Sequence, residues 1–273
     1  MPPDALALIR RAKAEAKGER KAAAPAPSAV QEAAPLELCQ LPSMPPAFAS
    51  LPTGVHYLPD FVSAADEGKL LQHILSEANA SRWSPGTNGR RSQNYGGKPG
   101  QPEITEALPS WLQQLTEALM SSGAWPLSDD GVCAPPNHVI INEYDPGAGL
   151  TPHTDGPLYA ARVATLSLWS DVVMELHRPE PQAVRCEAPT RLARLLLRRC
   201  SLNVLDGDAY RLFHGIRAAD ADSVAAAIGG ESFGEETVME SVVNFREASV
   251  ASCGETVRRE RRVSIVFVSK LPE

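Results

Sequence analysis

The chain has 273 residues, with Lys+Arg 26 against Asp+Glu 33 and a formal net charge of -7. At roughly 150 residues per domain this is one large domain or two small ones, and a hydrophobic share of 43% with a charged share of 22% excludes a fully disordered chain. The acidic balance argues against a protein held on nucleic acid by bulk charge, aromatics at 5% argue against a broad base-stacking platform, and no apolar run approaches the ~18 residues of a membrane span.

Residues 1–50 read as a disordered Ala/Pro-rich arm, with breakers at 22–27 and 42–46. A domain over 51–273 follows. Val55–Leu58 has a short strand pattern, and Ser63 with Asp66 three residues on is a capping-box start for a helix. Leu70, Leu71, Ile74, Leu75 and Ala78 give that helix one apolar face. Residues 81–101, rich in Gly, Pro, Asn and Arg, read as a long loop, and Ser110–Met120 as a second helix carrying Trp111, Leu115 and Leu119.

From Asn137 the period changes to two. Val139–Tyr144, Val163–Trp169, Val172–His177, Leu192–Leu197, Leu202–Leu205, Tyr210–His214 and Val263–Val268 read as strands. Arg191, Arg194, Arg198 and Arg199 read as flanking a strand at a solvated edge. Residues 217–258 are long and polar, with an extra strand expected over Thr237–Phe245. Helices ahead of a run of strands indicate an α+β, mainly β chain: a double-stranded β-helix (jelly roll) with N-terminal helices backing one sheet.

The cysteines (Cys39, Cys133, Cys186, Cys200, Cys253) are odd in number and form no C-x-x-C pair. Free thiols in a reducing compartment, cytoplasmic or nuclear, fit this better than a disulfide framework or a zinc site. An Ala- and Arg-rich start leaves organellar targeting open, with Asp4, Glu15 and Glu19 against it.

Most histidines are structural, and His56, His73 and His177 are read so. His153 differs because Asp155 lies two residues on, where an extended segment points both side chains the same way. An imidazole from a later strand would complete a two-histidine, one-carboxylate facial triad with open positions on Fe(II). Alone, H-x-D is weak; its surroundings raise its value. Upstream, Asn142 and Tyr144 share one strand face before a Pro146-Gly147 turn. Downstream, a turn at Asp206-Gly207 leads to His214-Gly215, and Arg262 and Ser264 share a face of the last strand.

Asn142-x-Tyr144-x-Pro146-Gly147, His153-x-Asp155, His214-Gly215 and Arg262, in this order, resemble the AlkB family of Fe(II)/2-oxoglutarate dioxygenases over a core of about 135–270. The run 89–97 (GRRSQNYGG), the Asn137-His138-Val139 entry and Asp155–Tyr159 are similar to the sixth AlkB homologue branch of animals and plants. The resemblance implies Fe(II) ligated by His153, Asp155 and His214, with 2-oxoglutarate chelating it and O2 as second co-substrate. It implies Arg262 on the distal carboxylate, and hydrogen bonds to the co-substrate from Asn142, Tyr144 and Ser264, the last standing where relatives use asparagine. The family's second arginine is Val268 here; Lys270, Arg211 or Arg217 could cover the loss. AlkB relatives often demethylate alkylated nucleobases, so the substrate class implied is nucleic acid, with protein or small molecules open, for a monomer without membrane attachment. Two readings stay open beside it: a catalytically weakened binding module for nucleic acid or protein, and a zinc hydrolase using the same ligands.

Overall fold

The computed structural model describes residues 38, 42–49, 51–126, 134–178, 191–226, 241–249 and 254–271. Most of the expected arm therefore lies outside the described residues. So does the 237–240 part of the extra strand expected there; only Ser241–Val242 is described as strand.

Fourteen strands in chain order, β1 (Val55–Leu58), β2 (Ser84–Pro85), β3 (Arg90–Tyr95), β4 (His138–Tyr144), β5 (Leu150–His153), β6 (Tyr159–Leu168), β7 (Val172–His177), β8 (Arg191–Leu197), β9 (Leu202–Asp206), β10 (Phe213–Ile216), β11 (Ala221–Ala226), β12 (Ser241–Val242), β13 (Glu255–Arg258) and β14 (Arg262–Lys270), are described. A seven-stranded sheet runs β1-β9-β6-β14-β4-β3-β2, a four-stranded sheet β5-β10-β7-β8, and a small sheet β12-β11-β13. The two larger sheets are antiparallel throughout, as a jelly roll requires.

Alternation along the central strands decides which residues see which layer. Val139, Ile141, Val263, Ile265 and Phe267 join a core with Leu70, Ile74, Trp111, Leu112, Leu115 and Leu119 of the two helices, Ala64–Leu75 and Ser110–Ser121. The helices thus back the outer face of the large sheet. The first starts as expected: Ser63 Oγ accepts from the Asp66 backbone N–H at 3.1 Å and donates to Asp66 Oδ2 at 2.7 Å. It stops at Leu75, so Ala78 falls in the following 3-10 turn, Glu77–Arg82, and Leu75 stays 38% exposed rather than joining the buried face. The intervening residues 138, 140, 142, 144 and 262, 264, 266 point inward, between the sheets.

Three local expectations are corrected. The 81–101 loop contains β2 and β3, because backbone pairing to β4 makes a strand of a polar sequence whose inner face turns out to line a cavity. Tyr210 lies in a 3-10 turn, Ala209–Arg211, and the strand begins at Phe213. Arg194 is 1% exposed rather than solvated, beneath the small sheet.

That small sheet closes the β8 edge. Asn244 is fully buried; its Nδ2 donates to the Leu196 carbonyl at 2.8 Å and its Oδ1 accepts from the Leu196 N–H at 2.9 Å. The amide stands in for a neighbouring strand and hides an edge that could otherwise template aggregation. Asn244→Ala strands both backbone groups, an expected loss of about 3 kcal/mol that a urea midpoint measured at unchanged m-value reads directly.

Candidate active site

The two imidazoles converge because of strand register. His214 on β10 sits directly opposite His153 on β5, and the rings lie 4.5 Å apart between centroids. Gly215 allows the approach: a Cβ there would meet the Leu150 carbonyl and the Pro152 Cα at 2.9 Å. Asp155 follows β5, and its Oδ2 lies 3.9 Å from His214 Nε2. One ligand atom from each of His153, Asp155 and His214 falls within 4.8 Å of the others.

The donor set suits a divalent metal of the iron type. His153 Nδ1 lies 3.0 Å from the Thr151 carbonyl, to which it donates, leaving Nε2 as the free ligand nitrogen. Burial holds the His214 pKa below its ordinary value and so favours the neutral form that ligation needs. Asp155 Oδ2 is buried without a hydrogen-bond partner, a cost that a cation would remove.

The large sheet supplies the opposite wall. Arg90, Tyr144 and Arg262 form one cross-strand row; Ser92, Asn142, Ser264 and Ser167 form the next; Asn94, Ile140, Val266 and Thr165 form a third. Successive rows are about 7 Å apart on the same face. Together with the triad, all of these but Ser167 line a cavity of about 240 Å³, which includes all seven residues singled out from the sequence: His153, Asp155, His214, Asn142, Tyr144, Arg262 and Ser264. A larger depression of about 710 Å³ lies beyond Leu150, Gly215 and Ile216, but no triad residue lines it.

Arg262 is the unusual group in this wall. It is 5% exposed, its Nη2 donates to Ser167 Oγ at 2.9 Å, its Nε is buried without a partner, and its guanidinium lies 5.5 Å from the Tyr144 ring centroid. Burial depresses its pKa, and no carboxylate of the described residues pairs with it. A buried guanidinium left without a counter-charge at a cavity wall is a receptor for an anion.

Sequence reading missed Ser167, Ser92 and Asn94, and it noted Arg90 only as half of an Arg90-Arg91 loop pair able to contact phosphate. The signals were there: polar Thr165 and Ser167 alternate within an apolar strand, and Arg90, Ser92 and Asn94 alternate within the supposed loop. The second-arginine position is closed. Val268 is 1% exposed and packs with Tyr159 and Val163. Lys270 does not replace it, because its Nζ donates to the Lys98 and Glu103 carbonyls at 2.9 and 3.0 Å. Arg211 and Arg217 are exposed and do not line the triad cavity.

The match to a family profile, that of the 2OG-Fe(II) oxygenase superfamily, spans residues 75–267. The chain belongs to this superfamily. Within it the chain is AlkB-like. It is 37% identical over 222 residues to the "Probable RNA/DNA demethylase ALKBH6" of Danio rerio, covering 79% of this chain and 85% of that protein. It is also 30% identical over 181 residues to the "Uncharacterized protein L905" of Acanthamoeba polyphaga mimivirus, covering 63% and 76% of the two chains. A solved structure described as "The structure of OsALKBH1" superposes with a TM-score of 0.50 at 13% identity, covering 82% of this chain and all of that one, which shows the shared fold. This oxygenase is therefore a 2-oxoglutarate-dependent dioxygenase on a jelly-roll core, and the binding-module alternative is not favoured.

Further along the inward face of β4, the oxygenase buries another titratable histidine. His138 is fully buried and stacks on Tyr159, with its Nδ1 hydrogen-bonded to the Tyr159 hydroxyl at 3.2 Å. Burial, aided by the Lys270 ammonium, holds its pKa down to about 4. Between an unfolded value near 6.5 and the native value, the unfolded chain binds the proton and the native state does not. The stability this contributes is present above pH 6.5 and is lost as pH falls towards 4, by up to about 3 kcal/mol. His138→Gln is expected to flatten that part of the profile, read from urea midpoints at pH 7 and pH 4.5.

Proposed function

We propose that the oxygenase oxidises a C–H bond of an alkylated nucleobase, with Fe(II) held by His153, Asp155 and His214 and 2-oxoglutarate anchored by Arg262. The observation that carries the reading is the buried guanidinium of Arg262, unpaired and facing the triad across one small cavity. The relative named as a probable RNA/DNA demethylase supports the substrate class. The catalytic core would be about 135–270 within a domain from residue 51, acting as a monomer in the cytoplasm or nucleus.

Bound there, Fe(II) and 2-oxoglutarate supply the activation of O2, one oxygen atom leaving in succinate as 2-oxoglutarate loses CO2 and the other entering the substrate C–H bond. The residues do the rest. Arg262 pairs with the distal carboxylate while Ser167 holds one guanidinium nitrogen in place. Asn142 and Ser264, adjacent in one row, offer an amide and a hydroxyl to the co-substrate, and Tyr144 adds its phenol from the Arg262 row. The apolar side chains of Val163, Met174, Leu197 and Val266 line the same cavity and exclude water from the reacting bond. An N-methyl carbon hydroxylated in this way would release formaldehyde and the unmodified base.

The test supplies the purified protein with Fe(II), 2-oxoglutarate, O2 and alkylated single-stranded oligonucleotides, and follows succinate and formaldehyde together. Substrate-dependent formation of both supports the reading. Wild type no better than His153→Ala would overturn it.

A further inference from the structure

The cavity has a wall with no task in holding metal or co-substrate, the inner face of β3. Arg90, Ser92 and Asn94 alternate along it and line the same cavity as the triad. Asn94 Oδ1 is buried without a hydrogen-bond partner. Its cross-strand neighbour is Ile140, and Val266 lies one strand further, so its nearest neighbours along that row are apolar. Arg90 stands at the rim, next to the exposed turn 84–89, and no carboxylate of the described residues pairs with it. Its neighbour Arg91 points the other way and is bound to Glu143. Apart from the triad, the charged residues lining the cavity among the described residues are the two arginines, Arg90 and Arg262. Such a cavity admits neutral or anionic groups and disfavours the cationic side chains of a protein substrate.

We propose that Asn94 and Arg90 are the specificity-determining pair for the substrate nucleotide, Asn94 reading the polar edge of the base and Arg90 holding a phosphate at the mouth. The proposal rests on the nucleic-acid reading above. Four residue steps along the strand separate the two, about 13 Å, and the long arginine side chain shortens that gap towards the span of one nucleotide. A base taken out of its stack is read through hydrogen bonds to its edge. An orphaned acceptor selects a base that donates, so adenine or cytosine with an exocyclic amino group is favoured over thymine. The carboxamide is the side chain best shaped for a two-bond contact with adenine.

Binding of labelled single-stranded oligonucleotides carrying one methylated adenine or one methylated thymine, with Mn(II) and 2-oxoglutarate present, tests this. Asn94→Ala is expected to weaken the adenine probe about tenfold and the thymine probe little. Asn94→Asp, which keeps the acceptor, is expected to retain preference for adenine. Arg90→Ala is expected to weaken both probes equally and to reduce the salt slope by about one. Metal-dependent 2-oxoglutarate affinity, measured by calorimetry, checks that each variant is folded with an intact co-substrate site; Asn94→Ser serves if the alanine variant does not fold. Unchanged probe binding in Asn94→Ala overturns the assignment of Asn94, an unchanged salt slope overturns that of Arg90, and a parallel loss of 2-oxoglutarate affinity overturns either. Wild type that binds no oligonucleotide overturns the proposal together with the nucleic-acid reading. In that case 2-oxoglutarate binding lost on substitution of Arg262 would still support the oxygenase.

Discussion

Arg262→Met is expected to lose stabilisation by 2-oxoglutarate while leaving the ligand-free protein at least as stable as wild type. The two halves have one cause. Arg262 is a buried cation that meets only the neutral hydroxyls of Ser167 and Tyr144 among the described side chains, and its Nε has no partner. Taking such a charge out of water costs several kcal/mol, and a methionine of similar length fills the space without that cost. The lost contacts to Ser167 and Tyr144 offset part of the gain, about 1.5–3 kcal/mol for a hydrogen bond to a charged group. With the guanidinium gone, the distal carboxylate would enter the cavity without a counter-ion, a loss of about 2–5 kcal/mol in binding and at least roughly thirtyfold in affinity. Thermal unfolding with Mn(II), with and without 2-oxoglutarate, separates the two effects. At a concentration 100 times its dissociation constant the ligand stabilises wild type by about 2.7 kcal/mol, and the variant is expected to show little of it. A variant that shifts as wild type does would remove Arg262 from the co-substrate site.

His153→Ala is expected to abolish metal retention and succinate formation at almost no cost to the fold. Two ligands cannot hold a divalent ion against buffer as three can, and altering the partners of a ligand already costs about 10–100-fold in affinity. His153 sits at the end of the edge strand β5 and is only partly buried, so truncating it removes little packing; a change within about 1 kcal/mol is expected. Asp155→Ala behaves alike for metal. Metal content after anaerobic reconstitution, measured beside the melting temperature, checks both. Wild-type metal content in either variant would mean that the cluster is not the iron site.

The triad was legible from H-x-D spacing plus a later histidine because the chemistry demands those residue types and strands impose a period of two. Arg262 and Tyr144 were legible for the same reason, through parity. Ser167 was not, since a serine in an apolar strand has many readings and becomes a partner of Arg262 only when β6 and β14 pair in register. The inner face of β3 was hidden more deeply. Its polar, Gly-flanked sequence has low strand propensity, and pairing with β4 overrides that. Arg194 misled in the opposite sense, because a segment distant in sequence folds over it.

Hydrophobic periodicity and four ordered motifs, by themselves, determined a jelly roll with helices ahead of it and singled out residues that the fold brings around one cavity. These are local quantities, written in spacing and side-chain type. Only the tertiary structure decided that β3 walls the cavity, that Arg262 has no carboxylate partner among the described residues and that Lys270 is tied to backbone carbonyls instead of covering for Val268. Those depend on which strands neighbour which and on what each buried polar atom meets, and long-range pairing sets both.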